Sequence, residues 1–285
     1  MIEFLHAFTE SPILRRAVAS GALAGITCGV VGSFVVVRRI TYLGAGIAHC
    51  VLGGMGAAWY AHIVGGVTWL HPLHGAILAA VLAAVVIGIV SLRFRQREDT
   101  VISALWALGM AVGVLFIQAT PGYRQDLMSY LFGNITLVSP QSLKLTAVMA
   151  GVVILLATAF YKQFLAICFD EEFARTRGLR VEAYYLLLLI LTALSVVTLV
   201  SVVGIVLVIA LLTLPVATAA VFTRRLWQLM LAAAALSVVL VLGGLAISYS
   251  PNLPPGATTI VLAGAVYLLM LGGSTLIRRL RPSRR

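Results

Sequence analysis

The sequence is poor in charged residues. Only 10% of its 285 residues are Asp, Glu, Lys or Arg, whereas soluble proteins carry about 25%, and the mean hydropathy is +1.08. This composition excludes a soluble globular domain and indicates an integral membrane protein. The long apolar runs are continuous rather than alternating, which predicts membrane-spanning helices and excludes a β-barrel.

Motifs for redox, metal-knuckle and nucleotide chemistry are absent from the sequence. The three cysteines, Cys28, Cys50 and Cys168, stand singly, so there is neither a disulfide framework nor a CxxC pair. The two lysines, Lys144 and Lys162, do not follow a glycine, so the phosphate-binding motif GxxxxGK[ST] is missing. We therefore expect no catalytic site, no permanently bound cofactor and no ATP site in this chain.

Carboxylates are missing from the centres of the apolar runs. Proton-coupled carriers usually need intramembrane carboxylates, so their absence disfavours that class, although a sodium-coupled secondary carrier stays open. The nine acidic residues are Glu3, Glu10, Glu98, Asp99, Asp126, Asp170, Glu171, Glu172 and Glu182.

The apolar runs predict an all-α, polytopic membrane protein with about eight to nine transmembrane helices in a single domain over 1–285. A re-entrant or interfacial helix is predicted near 126–140, because a full crossing there would reverse the sides of all later loops. A break is expected near Gly204 and a kink at Pro215. The predicted spans are 17–37, 41–63, 73–92, 100–118, 145–162, 181–201, 203–223, 229–247 and 257–277.

The net charge of +11 reflects topology. Most of the basic residues cluster at the ends of alternate apolar runs, which predicts a cytoplasmic C-terminus and an outer N-terminus. This clustering favours anionic lipid over nucleic acid as the partner of the basic residues. The first residues, MIEFLHAFTESPILRR, do not form a signal peptide because the basic pair follows the apolar part.

His49 lies well inside a predicted span, in the stretch GAGIAHCVLGG. On a helix it shares a face with Gly46 and Gly53, so the imidazole would have room around it. It is either hydrogen-bonded to a neighbouring helix or a transient metal ligand on a transport pathway formed by His49, Cys50, Gly46 and Gly53. Cys50 points about 100° away and is better explained as a small buried residue than as a second ligand.

Three further histidines, His62, His71 and His74, lie in the second outer loop, HIVGGVTWLHPLH. They are either solvated loop residues or a weak metal site.

The segment FDEEFARTRGL, 169–179, is amphipathic and mixed in charge. It predicts a short cytoplasmic helix that ends at Gly178 and either contacts a partner or remains solvated.

Five blocks of the sequence, in order, resemble the permease subunits of bacterial ABC transporters for zinc, manganese and iron. The resemblance covers roughly 15–275. It implies a homodimeric or pseudo-dimeric permease in the bacterial inner membrane, an ATPase in the cytoplasm and an extracytoplasmic metal-binding protein. It also implies an ATPase-coupling segment at 169–180, with Asp170, Glu171, Glu172, Phe173, Ala174, Arg175 and Gly178. The blocks are GSFVVVRRITYLGAGIAHCVLGG, EDTVISALWALG, DLMSYLFGNITLVS, FDEEFARTRGL and VVGIVLVIALLTLPVATAA.

The sequence departs from that family at three positions. Ala45 replaces the usual aspartate one turn before His49, Gly53 replaces a proline, and Asn134 replaces an aspartate or glycine. Losing an oxygen ligand favours zinc over manganese or iron as the imported ion. The remaining alternatives are a chelated metal or other diverged substrate, a secondary carrier, and a membrane assembly or sensor subunit that transports nothing.

Overall fold

The computed structural model describes residues 8–94, 98–121, 138–251 and 253–280. Within those ranges the chain is helical, with no β-strand. The helices are α1 (Pro12–Val37), α2 (Tyr42–Ile63), α3 (Pro72–Phe94), α4 (Glu98–Ala119), α5 (Pro140–Ala159), α6 (Tyr161–Phe169), α7 (Glu171–Thr176), α8 (Val181–Val203), α9 (Ile205–Ala220), α10 (Leu226–Tyr249) and α11 (Pro255–Leu280).

The predicted class, an all-α polytopic membrane protein, is confirmed. All nine predicted spans coincide with helices, and seven of these are long and apolar enough to cross a membrane. The other two are α9, which has only 16 residues, and α2, whose five glycines and several polar residues lower its hydropathy. Both are largely buried among the other helices, which explains why a shorter helix and a less apolar one are tolerated there.

The break between α8 and α9 falls at the predicted residue, Gly204. Its φ of 84° lies in the left-handed region, which glycine adopts without steric cost. The chain thus passes from one helix to the next through a single buried residue. Pro215 lies inside α9.

The central helix α2 contacts its neighbours through backbone rather than side chains. A Cβ at Gly54 would lie 2.2 Å from the carbonyl oxygen of Gly75 in α3, and one at Gly53 would lie 2.8 Å from that of Gly109 in α4. Glycine faces allow helices in a membrane to approach this closely. α2 also packs against α8 and α9, so it is enclosed on several sides.

A second glycine-mediated contact joins α1 and α10. A Cβ at Gly25 would lie 2.8 Å from the amide nitrogen of Val238, and one at Gly29 would lie 2.2 Å from that of Ala234. Gly21, Gly25 and Gly29 recur every four residues in the sequence, which predicts a packing face, and the contacts of Gly25 and Gly29 confirm it.

The predicted re-entrant helix near 126–140 falls mostly outside the described residues, as does Asn134. The flanking helices are described, and α4 ends at the end of the bundle where α5 begins. The glycine contacts show that α4 runs parallel to α2, so both helices end on the same side of the bundle. Met55, His71 and Ser142 line one pocket, which places the start of α5 at that same end.

Candidate functional site

His49 lies in the second turn of α2 and is 7% exposed. Its Nδ1 is 2.8 Å from the carbonyl oxygen of Ala45, one turn earlier. Because a carbonyl oxygen can only accept, Nδ1 donates in this contact, which places the lone pair of a neutral imidazole on Nε2. Metal-binding histidines are commonly held in this way, with one ring nitrogen donating to a carbonyl and the other facing the ion.

The His49 ring packs against Trp106 of α4. The ring centroids are 4.7 Å apart and the planes are inclined by 32°. Trp106 could not be identified from the sequence, since helical periodicity within one segment cannot show which residue of another helix faces it. The available signal was a single tryptophan in that span.

The expectation that the His49 ring has room around it on the glycine face is wrong. A Cβ at Gly46 would lie 2.7 Å from Cγ2 of Ile102, so α4 fills the space beside that glycine. The small residues on this face let α4 approach, because close helix packing is the usual use of such a face.

Cys50 is also buried, and its thiol donates to the carbonyl oxygen of Leu105 at 3.4 Å. It lines a cleft of about 370 Å³ between α3 and α4, whose floor includes Gly53 and Gly54. His49 and Gly46 do not line this cleft. The structure therefore separates the four residues of the predicted pathway into two pairs.

The three histidines predicted for the second loop form a row, but only His71 lies between the helices. His62 is in the last turn of α2 and His74 is in the first turn of α3. The ring centroids of His62 and His71 are 5.7 Å apart and those of His71 and His74 are 5.9 Å apart. Nδ1 of His62 is 3.3 Å from the carbonyl oxygen of Val67, and Nδ1 of His74 accepts from the backbone N–H of His71. In the described residues, no three His, Cys, Asp or Glu side chains are grouped closely enough to hold one metal ion, so the row is not a three-ligand site.

The predicted short helix in the 169–179 segment is confirmed as α7. The Asp170 carboxylate caps its start by accepting from the Phe173 N–H at 2.9 Å. Gly178 ends it with a φ of 77°, and the N–H groups of Gly178 and Leu179 donate to the carbonyl oxygens of Arg175 and Ala174, as in a Schellman motif.

One face of α7 is anchored and the other is exposed. Ala174 is 1% exposed, whereas Glu172, Phe173 and Arg175 are exposed. The guanidinium carbon of Arg177 lies 5.2 Å from the centroid of the Phe173 ring. The helix therefore presents an aromatic ring flanked by charges to whatever lies beyond this end of the bundle.

Comparison with known proteins shows the family to which this chain belongs. A model described as the ABC 3 transport family matches residues 10–273. The chain is 36% identical over 260 residues to a "Probable metal transport system membrane protein" of Chlamydia trachomatis, covering 91% of this chain and 88% of that protein. It is 33% identical over 256 residues to the "Manganese transport system membrane protein MntC" of Halalkalibacterium halodurans, covering 90% and 85%.

The fold agrees with a solved structure, PsaBC from Streptococcus pneumoniae in complex with Fab. The TM-score is 0.83 with 30% sequence identity, and the match covers 95% of each chain. This multi-pass membrane protein belongs to the ABC 3 transport family.

Proposed function

We propose that the chain is the membrane permease of an ATP-driven importer of divalent metal ions, with zinc as the preferred ion. Family membership supports a transport role. The names of two relatives, one a metal and one a manganese transport system membrane protein, support a metal as cargo.

The buried imidazole of His49 is the observation that carries the choice of ion. Its Nδ1 is hydrogen-bonded to the Ala45 carbonyl oxygen, which leaves Nε2 as the ring nitrogen that can bind a metal ion. The carboxylates of the described residues lie at or beyond the ends of the spans rather than near it. Imidazole nitrogen suits zinc, whereas manganese prefers carboxylate and carbonyl oxygen.

A single nitrogen ligand fits a transient site. A bare divalent ion in hydrocarbon costs tens of kcal/mol, so the ion must be passed through a lined cavity. Conduction also requires binding weak enough to allow release. We therefore expect tight capture by an extracytoplasmic metal-binding protein and only passing contact with His49, backbone carbonyls and water in the permease. The metal is cargo, and we expect no permanently bound cofactor.

The energy source must be a separate polypeptide. The sequence lacks the phosphate-binding motif, so ATP hydrolysis falls to a cytoplasmic ATPase subunit. We propose that the exposed face of α7 contacts that subunit and that the permease works as a homodimer in the bacterial inner membrane, with its C-terminus in the cytoplasm.

The test is transport by the reconstituted complex. The chain is combined with its ATPase and metal-binding protein in liposomes, and ATP-dependent movement of zinc and of manganese is measured. His49→Ala is compared with His62→Ala, which removes an imidazole from the last turn of the same helix, α2. We expect His49→Ala alone to abolish transport while assembly and ATP hydrolysis continue. Normal transport by His49→Ala would show that this residue only packs.

Manganese is the second candidate, because relatives such as MntC of Halalkalibacterium halodurans carry that ion in their names. Faster movement of manganese than of zinc in the same liposomes would replace zinc in the proposal. Movement of neither ion would favour a chelated metal or another diverged substrate.

A further inference from the structure

Arg38, which caps the C-terminal end of α1, joins four parts of the fold. Its Nη1 donates to the carbonyl oxygen of Ile167 in α6 at 2.8 Å, and its Nη2 pairs with the carboxylate of Glu171, the first residue of α7. Its guanidinium carbon lies 5.1 Å from the centroid of the Tyr185 ring in α8. These contacts connect residues more than 120 positions apart in the sequence.

The environment of Arg38 makes these contacts strong. Its side chain is 18% exposed, and Tyr185 is 1% exposed, so the guanidinium is shielded from water on the aromatic side. A guanidinium is planar, permanently charged and able to donate in two directions at once, whereas a lysine ammonium acts as a point charge. Charge-assisted hydrogen bonds of this kind are about twice as strong as neutral ones.

The turn that follows Arg38 is held by hydrogen bonds. The N–H groups of Arg39 and Ile40 donate to the carbonyl oxygens of Val36 and Val35, and the N–H of Leu43 donates to the carbonyl oxygen of Ile40. Ile40 is 6% exposed. Residues 39–41 connect Arg38 to the start of α2. Because these hydrogen bonds hold them in place, a displacement of Arg38 also displaces the start of α2.

α2 carries His49 two turns beyond this turn. Its glycine contacts with α3 and α4 leave little free space around it, and closely packed interiors transmit strain. The same helix thus begins at the Arg38 turn and holds the proposed metal ligand.

We propose that Arg38 is a positioning residue that carries the displacement of α7 to the start of α2, and so to His49. The inference rests on the proposed function, because it takes α7 to be the element on which the ATPase acts. Arg38 does not touch the metal. It acts by holding α1 and α2 to α7 through Glu171.

The test compares Arg38→Gln with Arg39→Gln in the reconstituted complex. Both variants remove one positive charge at the same end of the bundle, but Arg39 is exposed and makes none of the Arg38 contacts. Three quantities are measured: ATP hydrolysis, metal ions moved per ATP, and the ATP-dependent change in amide hydrogen exchange of residues 38–52. The third quantity needs no transported ion.

For Arg38→Gln we expect continued assembly and hydrolysis, a loss of the exchange change and a fall in ions per ATP of about tenfold, as for one lost charge-assisted hydrogen bond. Arg39→Gln should match the native complex. Equal effects of the two variants, or a normal exchange change in Arg38→Gln, would overturn the proposal. So would a native complex whose residues 38–52 do not respond to ATP.

Glu171→Gln provides an independent test if Arg38→Gln fails to assemble. It removes the charge of the carboxylate partner but leaves Arg38 able to contact Ile167 and Tyr185. We expect a smaller loss of the exchange change, and no additional loss on combining it with Arg38→Lys, since both weaken one link. Additive losses would contradict a shared link.

If the native complex shows the exchange change but moves neither zinc nor manganese, the proposed function fails while the Arg38 proposal is still tested.

Discussion

Gly54 of α2 and Gly75 of α3 meet backbone to backbone. A Cβ built on Gly54 would lie 2.2 Å from the carbonyl oxygen of Gly75, and one built on Gly75 would lie 2.1 Å from that of Gly54. Neither helix can accept a methyl group at this point without moving away from the other.

We therefore expect Gly54→Ala to destabilise the protein by about 1–3 kcal/mol or more, because this is the usual range for an overpacked core. Gly151→Ala in α5 is the matched control, because a Cβ there has no neighbour within 4 Å. Alanine is the better helix former by roughly 0.5–1 kcal/mol, so the control should be neutral or more stable. The measurement is the melting temperature of each purified variant in detergent. Equal values for the two variants would contradict the close contact.

Opposite effects are expected at two of the helix ends where the backbone is left-handed, Gly178 and Arg39. Gly178 has a φ of 77° and Arg39 a φ of 64°, and a left-handed conformation costs a residue with a side chain roughly 1–2 kcal/mol. Gly178→Ala should therefore lower stability and Arg39→Gly should raise it, each by about 1 kcal/mol.

The melting temperatures of Gly178→Ala and Arg39→Gly, measured together with the native protein, test this pair. For Gly178→Ala the strain falls at the end of α7, so weaker binding of the ATPase should accompany the loss of stability. A shift of the same sign in both variants would contradict the explanation.

Cys168, in α6 beyond the end of the α5 span, should react slowly with alkylating reagents. Burial raises the pKa of its thiol to about 11, while the nearby Arg38 lowers the pKa and Glu171 raises it. Since the thiolate is the reactive form, alkylation at pH 8 should be roughly a hundredfold slower than that of a free thiol.

The rate at Cys168 should rise about tenfold per pH unit between pH 7 and pH 10, because the thiolate fraction does so below the pKa. Peptide mass spectrometry assigns the reaction to Cys168, and Cys168→Ser removes the signal. A rate that levels off near pH 8 would contradict the shift. Because the folded pKa is raised, the protonated thiol favours the folded state below its ordinary pKa, and this contribution is lost as pH rises through the folded value.

The single-segment features could be predicted from the sequence. The apolar runs gave the spans, Gly204 marked the helix break and the Asp170 to Gly178 pattern marked α7, because each is a local property of the chain. The contacts between segments could not be predicted. Spacing shows that Gly46 and His49 share a face, but not that Ile102 and Trp106 fill it.

The contacts of Arg38 are a second example that could not be predicted from the sequence. In the sequence it is one of two adjacent arginines after an apolar run, which is a common topology signal. Its contacts with Ile167, Glu171 and Tyr185 depend on how α1, α6, α7 and α8 meet at one end of the bundle. Arg38 is partly buried and Arg39 is exposed, and no property of the local sequence separates the two.

Ala45→Asp should shift the choice of ion toward manganese. Ala45 is 4% exposed and lies one turn before His49, whose Nδ1 is bonded to its carbonyl oxygen. A carboxylate at this position would place an oxygen ligand on the same face as the imidazole, and manganese prefers oxygen. We expect the ratio of manganese to zinc transport to rise about tenfold, the effect of about 1.4 kcal/mol in favour of one ion.

Ala45→Asn is the control, because it has nearly the same shape without the charge. Without metal, Ala45→Asp should melt at a lower temperature than Ala45→Asn, since an unpaired carboxylate is costly to bury. Added manganese should restore part of that difference, because a ligand that binds only the folded state stabilises it. An unchanged transport ratio, or the same change in Ala45→Asn, would show that ion choice is set away from the face shared by residues 45 and 49.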